Sequence, residues 1–106
     1  MEINIARDFD PYPWGRPQGR DFREAILIPN LKSISGIPGG RLVISLDGCR
    51  MLGSSFLDEA FAGLIRKRII DHREFDRKLQ IISESPAMKI YLDAIKKYVR
   101  EARPET

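Results

Sequence analysis

Residues 41–70 read RLVISLDGCRMLGSSFLDEAFAGLIRKRII, and the fold turns on this stretch. Leu42, Val43, Ile44 and Leu46 form a short apolar run with two β-branched members, preceded by Gly39-Gly40 and followed by Asp47-Gly48. So short a run between turn residues fits a strand buried on both faces. The period then changes. Phe56, Leu57, Ala60, Phe61, Leu64, Ile65 and Ile69 recur at the steps of one helix face. Ser55 and Asp58 read as a capping pair at the start of that helix. Asp58 and Glu59 suit the positive end of its dipole, and Arg66, Lys67 and Arg68 the negative end.

The turn between strand and helix, Gly53-Ser54-Ser55, is the candidate functional point. It sets two hydroxyls and unpaired backbone N–H groups at a helix N-terminus, a place that holds an anion or carries a phosphorylated serine. Serine also leads among N-cap residues, and on the pattern alone plain capping is the first reading of the pair.

Outward from this centre, Ile3 and Ile5 alternate with Glu2 and Asn4, which predicts a first strand running toward Phe9. Residues 10–19, DPYPWGRPQG, carry three prolines and two glycines and predict no regular structure. They hold Tyr12, the only tryptophan (Trp14) and Arg16, the residue types enriched at interface hot spots. The same aromatics would also serve as a lid folded onto the core. Asp21 to Ser33 predicts a helix with Phe22, Ala25, Ile26 and Leu31 inward, kinked near Ile26–Ile28 or ended early by Pro29. Asp71 to Asp76 reads as a charged loop or frayed turn, with Phe75 as its anchor. Leu79, Ile81 and Ile82 predict a third main strand. Ser85-Pro86 opens a helix whose stripe is Met88, Tyr91, Leu92, Ile95 and Val99. Strands alternating with helices imply an α/β fold with right-handed crossovers and a mainly parallel sheet. In such a sheet the site is expected outside the carboxyl ends of the strands. The Gly53–Ser55 turn and the Tyr12–Arg20 loop both follow strands, so both are expected there.

The size, 106 residues, suits one domain spanning 1–106. A content of 42% hydrophobic and 31% charged residues matches a folded globular chain and argues against disorder. The N-terminus, MEINIARDFD, lacks a basic region followed by an apolar block, and no apolar run approaches the length of a bilayer span, so neither a secretory signal nor a membrane association is expected. The single cysteine, Cys49, permits no internal disulfide and fits a reducing cytoplasm. A formal charge of +3, with acids interleaved among the basic residues 66–78, argues against nucleic acid as the partner.

Ser54-Ser55-Phe56-Leu57-Asp58-Glu59-Ala60-Phe61, then Gly63-Leu64-Ile65-Arg66, with Gly19-Arg20-Asp21-Phe22-Arg23-Glu24 upstream, resembles the STAS-like proteins of bacteria, relatives of the anti-sigma-factor antagonists. The resembling subgroup has no assigned function. The resemblance implies a STAS-like central sheet of about four strands with three main helices, to which residues Glu2–Phe9 add an edge strand or hairpin. It also implies a signalling role. In anti-sigma antagonists the equivalent turn carries the serine that a partner kinase phosphorylates, and that serine corresponds to Ser54. This chain has Gly53 where those proteins carry an acidic residue, and Ser45 where an aspartate is usual. A histidine-kinase-like ATPase or another signalling protein is the partner the resemblance implies.

Little in the chain supports catalysis. One histidine and one cysteine, 23 positions apart, argue against a metal site, and neither phosphate-binding fingerprint is present, so no cofactor is expected. A Ser–His–Asp centre would need His72, about one helix length, roughly 20 Å, from Ser54. Cys49 reads as an inert, half-buried thiol. The expectation is therefore a non-enzymatic regulatory interaction module that docks a protein through Gly53, Ser54, Ser55 and Phe56, with Asp58 and Glu59 beside them and Tyr12, Trp14 and Arg16 joining. The alternative is a small-ligand or nucleotide sensor built from the helix N-terminus and the Tyr12–Arg20 loop.

Overall fold

Three short strands alternate with helices in a computed structural model that describes residues 1–106. β1 is Glu2–Asn4, β2 Leu42–Ser45 and β3 Leu79–Ile82. They form one parallel sheet in the order β1-β2-β3, with Ile3 beside Ile44 and Ile44 beside Ile81. The sheet thus has three strands, not the four expected. β1 stops early because Asn4 caps a helical turn, α1 (Ile5–Asp8): its side chain accepts from the Arg7 N–H at 2.9 Å, and Asp8 accepts from the Asn4 N–H at 2.9 Å. β2 is covered on both faces, with Leu42 and Ile44 buried on one and Ser45 buried and Val43 half-buried on the other, whereas Glu2 of β1 and Gln80 of β3, beside Val43, are exposed.

The first crossover is longer and more regular than its prolines suggest. α2 (Arg16–Phe22), a π-helical turn (Arg23–Leu27) and α3 (Ile28–Ile34) run on without a break. Pro17 sits in the first turn of α2, where its missing N–H costs nothing. Gly19 lies inside α2, where a Cβ would stand 2.8 Å from the Phe56 carbonyl oxygen of the opposing helix. The distortion expected before Pro29 is present as the π turn, in which the Ile28 N–H donates to Arg23 C=O. Widening the turn accommodates a proline that would otherwise crowd the carbonyl four residues back. The extra residue also shifts the inward face, so Leu27 is buried and Ala25 exposed, the reverse of the regular helical expectation.

After β2, α4 (Ser54–Leu57), a second π turn (Asp58–Ala62) and α5 (Gly63–Arg66) form the central helix. Phe56, Leu57, Ala60, Phe61, Leu64 and Ile65 are all buried, as the stripe predicts. Ile69 is exposed and Ile70 buried instead, because the helix ends at Arg66 and Arg68 takes φ 59°, which turns the chain over. Residues 71–76, expected as a loop, start α6 (His72–Lys78) behind an Asp71/Glu74 capping box. Pro86–Met88 forms a single 3₁₀ turn leading into α7 (Lys89–Glu101), where Ile95 and Val99 are buried. One cluster of 24 buried residues joins these elements. No helix is long and apolar enough to cross a membrane.

Candidate functional site

The two segments singled out in the sequence meet at the carboxyl end of the sheet. The chain leaving α1 and the chain leaving β2 run side by side: the Arg50 N–H donates to Pro11 C=O at 2.7 Å and the Gly53 N–H to Pro13 C=O at 2.9 Å. Glycine is required at position 53, since a Cβ there would lie 1.9 Å from the Trp14 carbonyl oxygen. Gln18, one turn into α2, fixes the loop from below. Its amide oxygen accepts from the Trp14 and Gly15 N–H groups, both at 2.9 Å, and its NH2 donates to Tyr12 C=O at 3.3 Å.

This scaffold turns three large side chains to solvent: Tyr12 is 49% exposed, Trp14 61% and Met51 47%. Beside them stand the exposed Arg16, Arg50, Ser54 and Ser55. Of the two readings left open for Tyr12 and Trp14, their exposure favours the contact surface over the lid. The core below is closed by phenylalanines instead. Phe9 lies 5.3 Å from Phe22 and 6.2 Å from Phe56, and Phe22 lies 5.7 Å from Phe56, between ring centroids.

The serines are not caps. Gly53 is the N-cap residue and no side chain caps the helix. The Ser55–Asp58 capping pair does not form, because Asp58 is held elsewhere. Arg16 reaches it at 2.9 Å and Arg66 at 2.5 Å. Burial pushes the Asp58 carboxyl up, but the hydrogen bonds from Arg66 and Arg16 outweigh it and hold the group below its ordinary value. Glu59 behaves alike: burial raises it, and Arg23, at 2.8 Å, more than compensates. Arg23 is 2% exposed and also donates to the Glu59 carbonyl, while its Nε finds no partner. Asp58 and Glu59 therefore tie α2 to the central helix, and Arg16 is the member of that network that reaches the exposed face.

Phe56 does not belong to the face. It is fully buried among Phe9 and Phe22, so its side chain is a support for the turn and not a contact surface. Gly53 is likewise buried and contributes backbone only. Sequence reasoning missed Met51, Arg50 and Gln18. The pattern Pro11-x-Pro13 opposite Arg50-x-x-Gly53 carries no pairing signal that can be read along the chain.

Around the serines a shallow depression of about 380 Å³ is lined by Trp14, Gly15, Arg16, Leu52, Gly53, Ser54 and Ser55. Cys49, close by in sequence, is 7% exposed, and burial pushes its thiol up to about 11, which leaves it protonated and unreactive. At the strand ends Asp47 accepts from Ser83 at 2.6 Å and from Ser45 at 3.2 Å, and its carbonyl accepts from Asn4 at 3.0 Å, so the three strand ends are tied together under the loops.

A family model described as a STAS-like domain of unknown function (DUF4325) matches residues 18–89, more than half of the chain. The match takes in the central helix and its serines and leaves out Tyr12, Trp14 and Arg16. The comparisons with curated proteins and with solved structures found no match.

Proposed function

The chain belongs to the STAS-like domain family of unknown function, and on that premise we propose that it is a non-catalytic regulatory module that docks a signalling protein. The docking face is the strip formed by Tyr12, Trp14 and Met51 with Arg16, Arg50, Ser54 and Ser55. One observation carries this reading: three large apolar side chains stand exposed on a loop pair held rigid by backbone hydrogen bonds and Gln18. Exposing them costs stability with no return inside the domain, and aromatic residues beside arginine are what interface centres use. The two exposed arginines, with Asp58 and Glu59 largely withdrawn into ion pairs, make the partner's matching surface acidic. The setting that fits such a module with a lone, buried thiol is cytoplasmic.

Ser54 is the control point in this reading. Its hydroxyl is exposed and caps nothing. A phosphate there adds about −1.5 to −2 charges. It would draw Arg16 away from Asp58 and oppose an acidic partner, so the modified form is the released form. The test is to capture a partner from native extract, purify it and measure its affinity for wild type and for Trp14→Ala. A loss of about thirtyfold is expected for a hot-spot tryptophan, and an unchanged affinity would refute the docking face.

The depression beside Ser54 supports a second reading, a nucleotide sensor in which the helix N-terminus meets phosphate and Trp14 stacks on a base. Titration with ATP and GTP, followed by Trp14 fluorescence, separates the two. A saturable change with free nucleotide favours the sensor, and none at millimolar nucleotide removes it for those ligands.

A further inference from the structure

A cavity larger than the depression at the serines lies away from the aromatic face. It is a groove of about 560 Å³ between α6, β3 and α7. β3 is an outer strand, paired with β2 on one side only. The Leu46 N–H donates to Ile82 C=O, so Ile82 and Gln80 address β2. By the alternation of a strand, Ile81 turns its N–H and C=O to the free edge, inside the groove. Leu79, Ile81, Leu92 and Val99 supply apolar walls, while Lys96 and Arg100 stand exposed on the α7 side and Asp76 is the one acid lining it.

We propose that this groove takes an extended acidic segment of a partner protein, added to the sheet as a fourth strand beside β3. The free backbone pair of Ile81 offers the hydrogen bonds that strand addition needs. The apolar walls accept alternate side chains, and the Lys96–Arg100 rim selects acidic ones. A second copy of this chain would bring the same cationic rim against itself, so it fits worse than an acidic peptide. Neither Lys96 nor Arg100 is held in an ion pair by the domain's own acids. The rim is therefore free to serve a ligand.

The probe is a synthetic peptide in which valine alternates with glutamate, compared with its counterpart in which lysine replaces glutamate. Binding is read by fluorescence anisotropy and by amide NMR shifts. The acidic peptide is expected to saturate the full chain, move the Gln80, Ile81, Lys96 and Arg100 signals and slow exchange of the Ile81 amide. The basic peptide is expected to bind about tenfold more weakly or less. Lys96→Glu with Arg100→Glu, two exposed positions whose change leaves the core intact, should invert that preference. The proposal is overturned by equal affinity for both peptides or by no binding of the acidic one. Shifts confined to Trp14 and Ser54, or an Ile81 amide that exchanges as fast with peptide as without, overturn it as well. Concentration-dependent dimerisation that buries Ile81 would assign the groove to a second copy and also overturns it.

Discussion

Phe9 and Phe56 lie within a few residues of Tyr12, Trp14 and Met51 along the two loop pairs, yet the two sets face opposite ways. The phenylalanines pack inward, tilted against Phe22 and stacked on each other, each close pair worth about 0.5–1.5 kcal/mol beyond its burial. Tyr12, Trp14 and Met51 each leave about half or more of their surface to solvent. The difference teaches that the lower set makes the surface on which the upper set is displayed. A rigid platform spares a docking loop the cost of being ordered on binding. Residues that look equivalent by composition thus take separate places, with stability below and, in the proposed function, recognition above.

The comparison breaks most easily from below. Phe56→Ala should cost about 3–5 kcal/mol, read as a lowered denaturation midpoint at constant slope. A loss under about 1 kcal/mol would mean that the phenylalanines are not the platform. Next comes the seam between the two sets. Gly53→Ala forces a methyl group onto the Trp14 carbonyl, and should cost about 1–3 kcal/mol while shifting Trp14 emission. Unchanged emission would show that the loops do not rest on each other there.

The third effect is smaller and depends on pH. Asp58 and Glu59 are buried enough to be pushed up, yet their arginines hold both below their ordinary values. A carboxylate depressed in the folded state contributes stability above its unfolded value of about 4, and that contribution is lost as pH falls through the folded value. Asp58→Asn should therefore lower stability at pH 7 by about 1 kcal/mol and flatten its fall between about pH 5 and 3. Parallel pH curves for the variant and wild type would remove Asp58 from the network that steadies Arg16. The smallest effect is the one that sharpens the contrast. Trp14→Ala should change stability by less than about 0.5 kcal/mol. A larger loss would put Trp14 among the supports.

How much of this was legible in the sequence follows from where the information resides. The central strand, the central helix and the third strand were readable because their patterns are local: Leu42 to Ile44 as an apolar run, and Phe56 to Ile65 as a helix stripe. The π turns were not readable, since a single inserted residue looks like noise in a 3.6-residue period. That is why Leu27 replaced Ala25 on the inward face. Asp71-x-x-Glu74 was a readable capping signal, obscured by the charges around it. At the site, Ser54, Trp14 and Arg16 were visible by type and position. The burial of Phe56 and the exposure of Met51 depend on how two loops separated by more than thirty residues pair with each other, and no periodicity records that. The Asp58 partners, Arg16 and Arg66, lie on opposite sides of it in sequence, so a capping role looked sufficient until the structure showed them.

The central claim, that the exposed aromatic strip beside Ser54 is a docking face under negative control, is tested most directly by one affinity series. The dissociation constant of the purified, captured partner is measured for wild type, Ser54→Ala and Ser54→Asp. The account predicts that alanine binds like wild type and that aspartate binds at least about tenfold more weakly, with the difference shrinking as salt rises. Equal affinity of all three would contradict it and move the interface away from the serine turn.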